Sequence, residues 1–247
     1  MYFDLWQTSR PCWRRAPRWM AAATLCGVLE TAAGSSFDEG VQAYERQDYV
    51  RAIAMLTPPA EAGNADAQDL LGASYEEGKG DFVMAAQWYQ RAAAAGQSDA
   101  MTRLGELYED GDGVPQDTQT AMSWLEKAAA MQDVDAETDL GELWSDVLGD
   151  NGQAAQWFNK AAEAGDVQAQ YRLGLLLLGG EDVARDLARA WVYLSLAGHD
   201  IDDAAQSRDV LELEMTPQEL QHARSLLADW QKSHGLKVPP ASPSAKH

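Results

Sequence analysis

Between residues 66 and 197 the apolar positions recur at helical spacing, and the whole pattern then recurs at a longer interval. A Leu-Gly pair appears four times, at Leu71-Gly72, Leu104-Gly105, Leu140-Gly141 and Leu173-Gly174, with the glycines 33, 36 and 33 residues apart. Alanine stands five before each glycine (Ala67, Ala100, Ala136, Ala169), and a large apolar residue stands three after it (Tyr75, Tyr108, Trp144, Leu177). Tryptophan follows at Trp88, Trp124, Trp157 and Trp191, with alanine three before each (Ala85, Ala121, Ala154, Ala188). Offsets of three, four and five lie along one stripe of an amphipathic helix. Each copy therefore predicts two helices joined by a turn. Such a unit cannot bury its stripe alone and must stack on its neighbours. Asp66, Asp99 and Asp135, one before the first alanine, are expected to cap the first helices.

The rhythm continues on both sides. "FDEGVQAYERQDYVRAIAMLTPPAE" carries Gly40, Tyr44, Tyr49, Ala52 and Leu56, and Pro58-Pro59 is expected to end its second helix. "IDDAAQSRDVLELEM" reads as a degenerate first helix. In "TPQELQHARSLLADWQKS", Thr216 is a predicted cap, Pro217 the first helical residue and Glu219 the partner in a capping box. Leu220, Ala223, Leu227 and Trp230 give that closing helix one apolar face. The predicted hairpins cover 37–61, 66–95, 99–131, 135–164, 168–198 and 201–232, within a domain spanning 35–232. Residues 233–247 have no periodicity and read as a disordered tail.

The glycine-rich acidic stretch Glu109-Asp110-Gly111-Asp112-Gly113 could suggest a metal loop. A calcium loop needs carboxylates at fixed alternating positions, glycine at six and glutamate at twelve. Here the second glycine comes far too early. The same position in other copies reads "GKGDF", "LGDNG" and "GGEDVARD". The stretch is a turn that ends the first helix.

These residues resemble the Sel-1-like repeat family, a relative of the tetratricopeptide repeats. The resemblance rests on A-x-x-x-L-G-x-x-Y, then G-x-G-V-x-x-D, then A-x-x-W-x-x-K-A-A. Ala100, Leu104, Gly105, Tyr108, Gly111, Gly113, Val114, Asp117, Ala121, Trp124, Lys127, Ala128 and Ala129 match it nearly throughout. It implies an all-α protein, a right-handed α/α solenoid of about six helix–turn–helix repeats. It also implies that first helices line the concave side.

The first 33 residues differ from the rest. Arg10, Arg14, Arg15 and Arg18 precede the apolar run "WMAAATLCGVL", and small residues follow at Thr31, Ala32 and Ala33. This reads as a signal peptide over 1–33, with an apolar run too short to span a bilayer. The expectation is export to a bacterial periplasm or the exterior, with no membrane insertion after cleavage. A retained leader would instead give a cytoplasmic or membrane-tethered protein. Cleavage after Ala33 would remove both cysteines, Cys12 and Cys26, so the remainder has no disulfide framework and no thiolate site.

Charge then narrows the partners. The whole chain carries −20; without the 4 basic and 2 acidic leader residues, 15 basic face 37 acidic, a net of −22. That field repels phosphate backbones and anionic membranes, which excludes nucleic acid as a partner. His199, His222, His234 and His247 lack zinc-ligand spacing, and there is no nucleophile elbow, phosphate loop or dinucleotide fingerprint. No enzyme activity, cofactor or metal is expected.

What remains is a surface. Flanking the Leu-Gly anchors are Leu70, Arg103, Asp139 and Arg172 on one side and Ala73, Glu106, Glu142 and Leu175 on the other. Arg103, Glu106, Asp139, Glu142 and Arg172 are the candidate groove residues, with an acidic middle suited to a protein or extended peptide bearing basic side chains. The expected function is a non-enzymatic interaction scaffold. The alternative is a secreted enzyme or ligand-binding protein with a site of scattered carboxylates.

Overall fold

The computed structural model describes residues 32–180 and 182–235. Residues 1–31 of the predicted leader and most of the predicted tail lie outside them; Ala32 and Ala33, the leader's predicted end, begin the first helix. Every element among the described residues is helical. The helices are α1 (Ala32–Glu45), α2 (Tyr49–Glu61), α3 (Ala65–Lys79), α4 (Phe82–Ala94), α5 (Ser98–Asp110) and α6 (Thr118–Ala129). They continue as α7 (Val134–Glu142) with a π-helical turn (Leu143–Val147), α8 (Asn151–Glu163), α9 (Val167–Gly179), α10 (Leu187–Ala197), α11 (Asp202–Glu214) and α12 (Pro217–Ser233). The chain divides into two compact units between Ala128 and Ala129. In the first, α1 to α4 pack each on the next and α5 on α4; in the second, α7 to α10 do so, with α11 and α12 against α10.

The repeating glycine has one job in each of the first five hairpins. A methyl group added to Gly72 would stand 2.7 Å from the Tyr89 ring, and on Gly141 2.5 Å from the Phe158 ring. On Gly40, Gly105 and Gly174 it would meet Leu56, Leu125 and Leu194 at 2.7, 2.7 and 2.9 Å. The glycine is thus a socket in the first helix that takes one large apolar side chain from the second. The alanines five before each glycine are fully buried beside it, which lets the helix axes approach closely.

A second constant closes the turn. In the first five hairpins the amide of the aspartate that caps the second helix donates to the carbonyl three residues past the socket glycine. The pairs are Asp48 to Ala43, Asp81 to Tyr75, Asp117 to Tyr108, Asp150 to Trp144 and Asp186 to Leu177, at 2.8–3.0 Å. The intervening chain varies in length, yet this bond does not.

Several local expectations are corrected by this geometry. First helices are capped two residues earlier than expected: Asn64, Asp133 and Asp166 accept from the amides of Ala67, Ala136 and Ala169. Asp66, Asp99 and Asp135 sit inside the first turns, where a carboxylate still favours the helix dipole. In α10 the register is set by the capping Asp186, so Ala190, Tyr193 and Leu194, rather than Ala188 and Trp191, match Ala85, Trp88 and Tyr89. Trp191 is still buried, donating its indole N–H to Glu212 at 2.8 Å. Pro58 and Pro59 do not stop α2, which runs on to Glu61. Proline already has helical φ, and the two carbonyls cap the helix by accepting from Ala62 and Asn64. The capping box of Thr216 and Glu219 forms as expected.

Candidate functional site

Gly111 and Gly113 have φ of 79° and 69°, and Gly113 abuts the backbone of Phe82 at the start of α4. A side chain there would meet fixed backbone, so the turn's glycines serve chain geometry. Among the described residues no group of histidine, cysteine, aspartate and glutamate is arranged to hold a metal.

Polar chemistry in the first unit collects on α1, α3 and α5. The Arg103 guanidinium lies 3.6 Å from the Glu106 carboxylate, one turn along α5. Burial works to lower Arg103, but Glu106, Tyr89, Glu76 and Tyr44 outweigh it and hold the guanidinium above its ordinary value. The Tyr89 hydroxyl donates to Glu76 at 2.7 Å. Glu77 accepts from two phenols, Tyr44 at 2.8 Å and Tyr49 at 2.9 Å, whose rings meet edge to face. Gln97 donates its side-chain amide to Asp66. Half-buried Asp69 stands among these groups. Burial first, then Asp99, with Asp66 and Glu76 adding, pushes its carboxyl up to about 7 against the pull of Arg103.

The second unit repeats the theme with other residues. Arg172 on α9 reaches Asp146 at 2.9 Å and Glu142 at 3.6 Å, joining α9 to α7 and its π-helical turn. Glu142 and Asp146 are four residues apart along this segment, and the Arg172 guanidinium reaches both.

The five predicted groove residues are therefore split. Arg103 and Glu106 pair in the first unit, while Glu142 and Arg172 pair in the second. Arg103, Glu106 and Arg172 keep partial side-chain exposure of 18%, 22% and 32%, whereas Glu142 is buried, with 11% of its side chain exposed. Asp139 is only 1% exposed, so its carboxylate is turned into the protein rather than toward a partner. Leu70 and Ala73 are buried too. The positions flanking the anchor are seams between helices, and only long side chains reach past them.

Sequence reasoning missed Asp69, Glu76, Glu77 and Asp146. Glu76 stands four residues after Gly72, on the same helical face as the anchor, and that spacing could have marked it; Glu77, one further on, turns toward Tyr44 and Tyr49 instead. Asp146 carries the same signal, standing four residues after the candidate Glu142.

The Sel1 repeat profile matches residues 65–97, 98–133, 134–166 and 167–199. A Sel1 repeat protein from Oxalobacter formigenes has a crystal structure similar to this one, at 32% identity and a TM-score of 0.63. The match covers 70% of this chain and 73% of that one. The c5321 protective antigen of uropathogenic Escherichia coli, which displays an SLR fold, superposes with a TM-score of 0.58 at 24% identity. That match covers 87% of this chain and 58% of the antigen, so this chain spans little more than half its length. Among curated proteins none matches the chain.

Proposed function

The chain belongs to the Sel1 repeat family, whose members are generally non-enzymatic protein-interaction scaffolds, and from that premise we propose that it docks a basic segment of a protein partner. One observation carries this reading. On α3 and α5 of the first unit, Asp99, Asp66 and Glu76 act on Asp69 against the one opposing cation, Arg103, which Glu106 and Glu76 also engage. Burial first, and this surplus of negative charge after it, push the Asp69 carboxyl up to about 7. A lysine or arginine supplied by a partner would relieve that surplus.

Arg103 and Glu106 would present this face in the first unit, and Glu142 with Arg172 the corresponding face in the second. Docking involves no covalent step and no cofactor. The leader's basic stretch, which lies outside the described residues, supports export, so the partner is sought in the envelope or among secreted proteins. No helix among the described residues is long and apolar enough to cross a membrane.

The test is affinity capture with residues 34–247 from envelope and secreted fractions of the native host, eluted by a salt gradient. A stoichiometric partner released by salt, and lost from Glu106→Lys combined with Glu142→Lys, is the expected result. No partner, or one indifferent to both charge reversals, defeats the proposal.

A further inference from the structure

The closing helix α12 ends on a contact that no repeat signature calls for. His234 follows the last residue of α12, and its ring stacks on Trp230 with centroids 3.9 Å apart and planes 19° apart. Nδ1 lies 2.8 Å from the Trp230 carbonyl, in the last turn of α12. Nε2 lies 2.9 Å from the carbonyl of Glu163, the last residue of α8, 71 positions earlier in the chain. A backbone carbonyl only accepts hydrogen bonds. A neutral imidazole carries one N–H and one lone pair, so it can satisfy one of these contacts and must oppose a lone pair to the other. The imidazolium donates to both.

Two further features favour the cation. Both carbonyls belong to the last turns of helices, so the ring sits at the negative ends of two helix dipoles. An indole face is also where a cation is stabilised. We propose that His234 is a proton-dependent clasp: as imidazolium it donates to both carbonyls and ties the end of α12 to the end of α8, and on losing its proton it gives up either the Glu163 bond that reaches α8 or the Trp230 bond that holds the ring in place.

The neighbouring charges are accounted for. On α8, the Glu163 carboxylate accepts from the Tyr193 hydroxyl at 2.8 Å and Lys160 lies over the Trp157 ring. Asp166 caps α9 through the Ala169 amide. On α10, Arg189 donates to Asn159. Asp229 and Lys232 are the remaining charges on the last turns of α12. One competitor is present: the Ser233 hydroxyl lies 3.0 Å from Nδ1 and 2.7 Å from the Trp230 carbonyl. It could donate to a neutral ring instead.

The test uses the full chain, the His234→Gln variant and the Ser233→Ala variant, from pH 5 to pH 8. Ring nitrogen-15 NMR of His234 should show two protonated nitrogens at pH 5.5. The melting midpoint of the parent should exceed that of His234→Gln by a few degrees at pH 5.5, and the gap should close by pH 8. Ser233→Ala should keep this pH dependence. A single neutral tautomer at pH 5.5, or a gap unchanged between the two pH values, would overturn the clasp. Loss of the pH dependence in Ser233→Ala would also overturn it, by assigning the contact to a serine-held neutral ring.

Discussion

Gly141 faces the ring of Phe158 so closely that an added methyl group would lie 2.5 Å from its carbons. Overlap of that degree forces a ring or a helix to move, and overpacking of a close-packed core costs about 1–3 kcal/mol. Gly96 provides the contrast, because nothing lies within 4 Å of an added methyl there and only its φ of 94° resists substitution. Gly141→Ala should therefore lower the urea midpoint more than Gly96→Ala, whose cost is about 1–2 kcal/mol of left-handed strain. The reverse order would show that the socket yields easily and that the turn sets the stability.

Leu104 precedes the socket glycine of α5 and is fully buried. Truncation to alanine leaves a cavity that flanking helices, themselves held by alanine and glycine contacts, have little room to collapse into. Leu104→Ala should destabilise by about 2–5 kcal/mol in chemical unfolding. A melt shifted by less than a degree or two would remove it from the core.

The pattern that located Leu104 was legible because periodicity reports burial. Gly72, Gly105, Gly141 and Gly174 could be aligned without a structure, since each must oppose a large side chain. What escaped was anything fixed by the backbone at helix ends. Tryptophan recurrence suggested Trp191 as the fourth anchor, but Asp186 caps α10 and sets Tyr193 in that place. The site was less legible still. Arg103 and Asp139 occupy the same position before their Leu-Gly pairs, yet Asp139 is buried and Arg103 partly exposed. That difference depends on which side chains neighbouring helices place opposite them, and no spacing rule carries it.

Glu77 binds the hydroxyls of Tyr44 and Tyr49 together, so ionising either phenol sets a second negative charge against the carboxylate. Burial first, then the bond to Glu77, pushes Tyr49 up to about 12; Tyr44 moves the same way. Alkaline titration followed by phenolate absorbance should show Tyr49 ionising above the ordinary tyrosine range of about 10. Glu77→Gln should bring part of that signal down in pH while leaving the acid limb unchanged. A titration curve identical in both proteins would mean that burial alone holds the phenols neutral.

Asp69 yields the sharpest dependence on pH. Its carboxyl titrates near 7 in the folded chain and near 4 when unfolded. Between those values the folded state holds a proton that the unfolded state has released, so stability falls as pH rises. Below about 4 both states are protonated and the penalty vanishes; above about 7 both are ionised and the penalty is constant. Asp69→Asn removes the titration. The variant should match the parent near pH 4 and exceed it by about 1–3 kcal/mol at pH 8, allowing for solvent screening of a half-buried group. Asp66, Glu76, Asp99 and Arg103 remain in both proteins, so most of their own pH dependence cancels in the difference. A basic partner seated beside Asp69 would favour its ionised form, and binding near pH 6 should then release a proton from the parent but fewer from Asp69→Asn. Calorimetry in two buffers of different ionisation enthalpy would measure that release. Equal proton release by the two proteins would place the partner elsewhere on the chain.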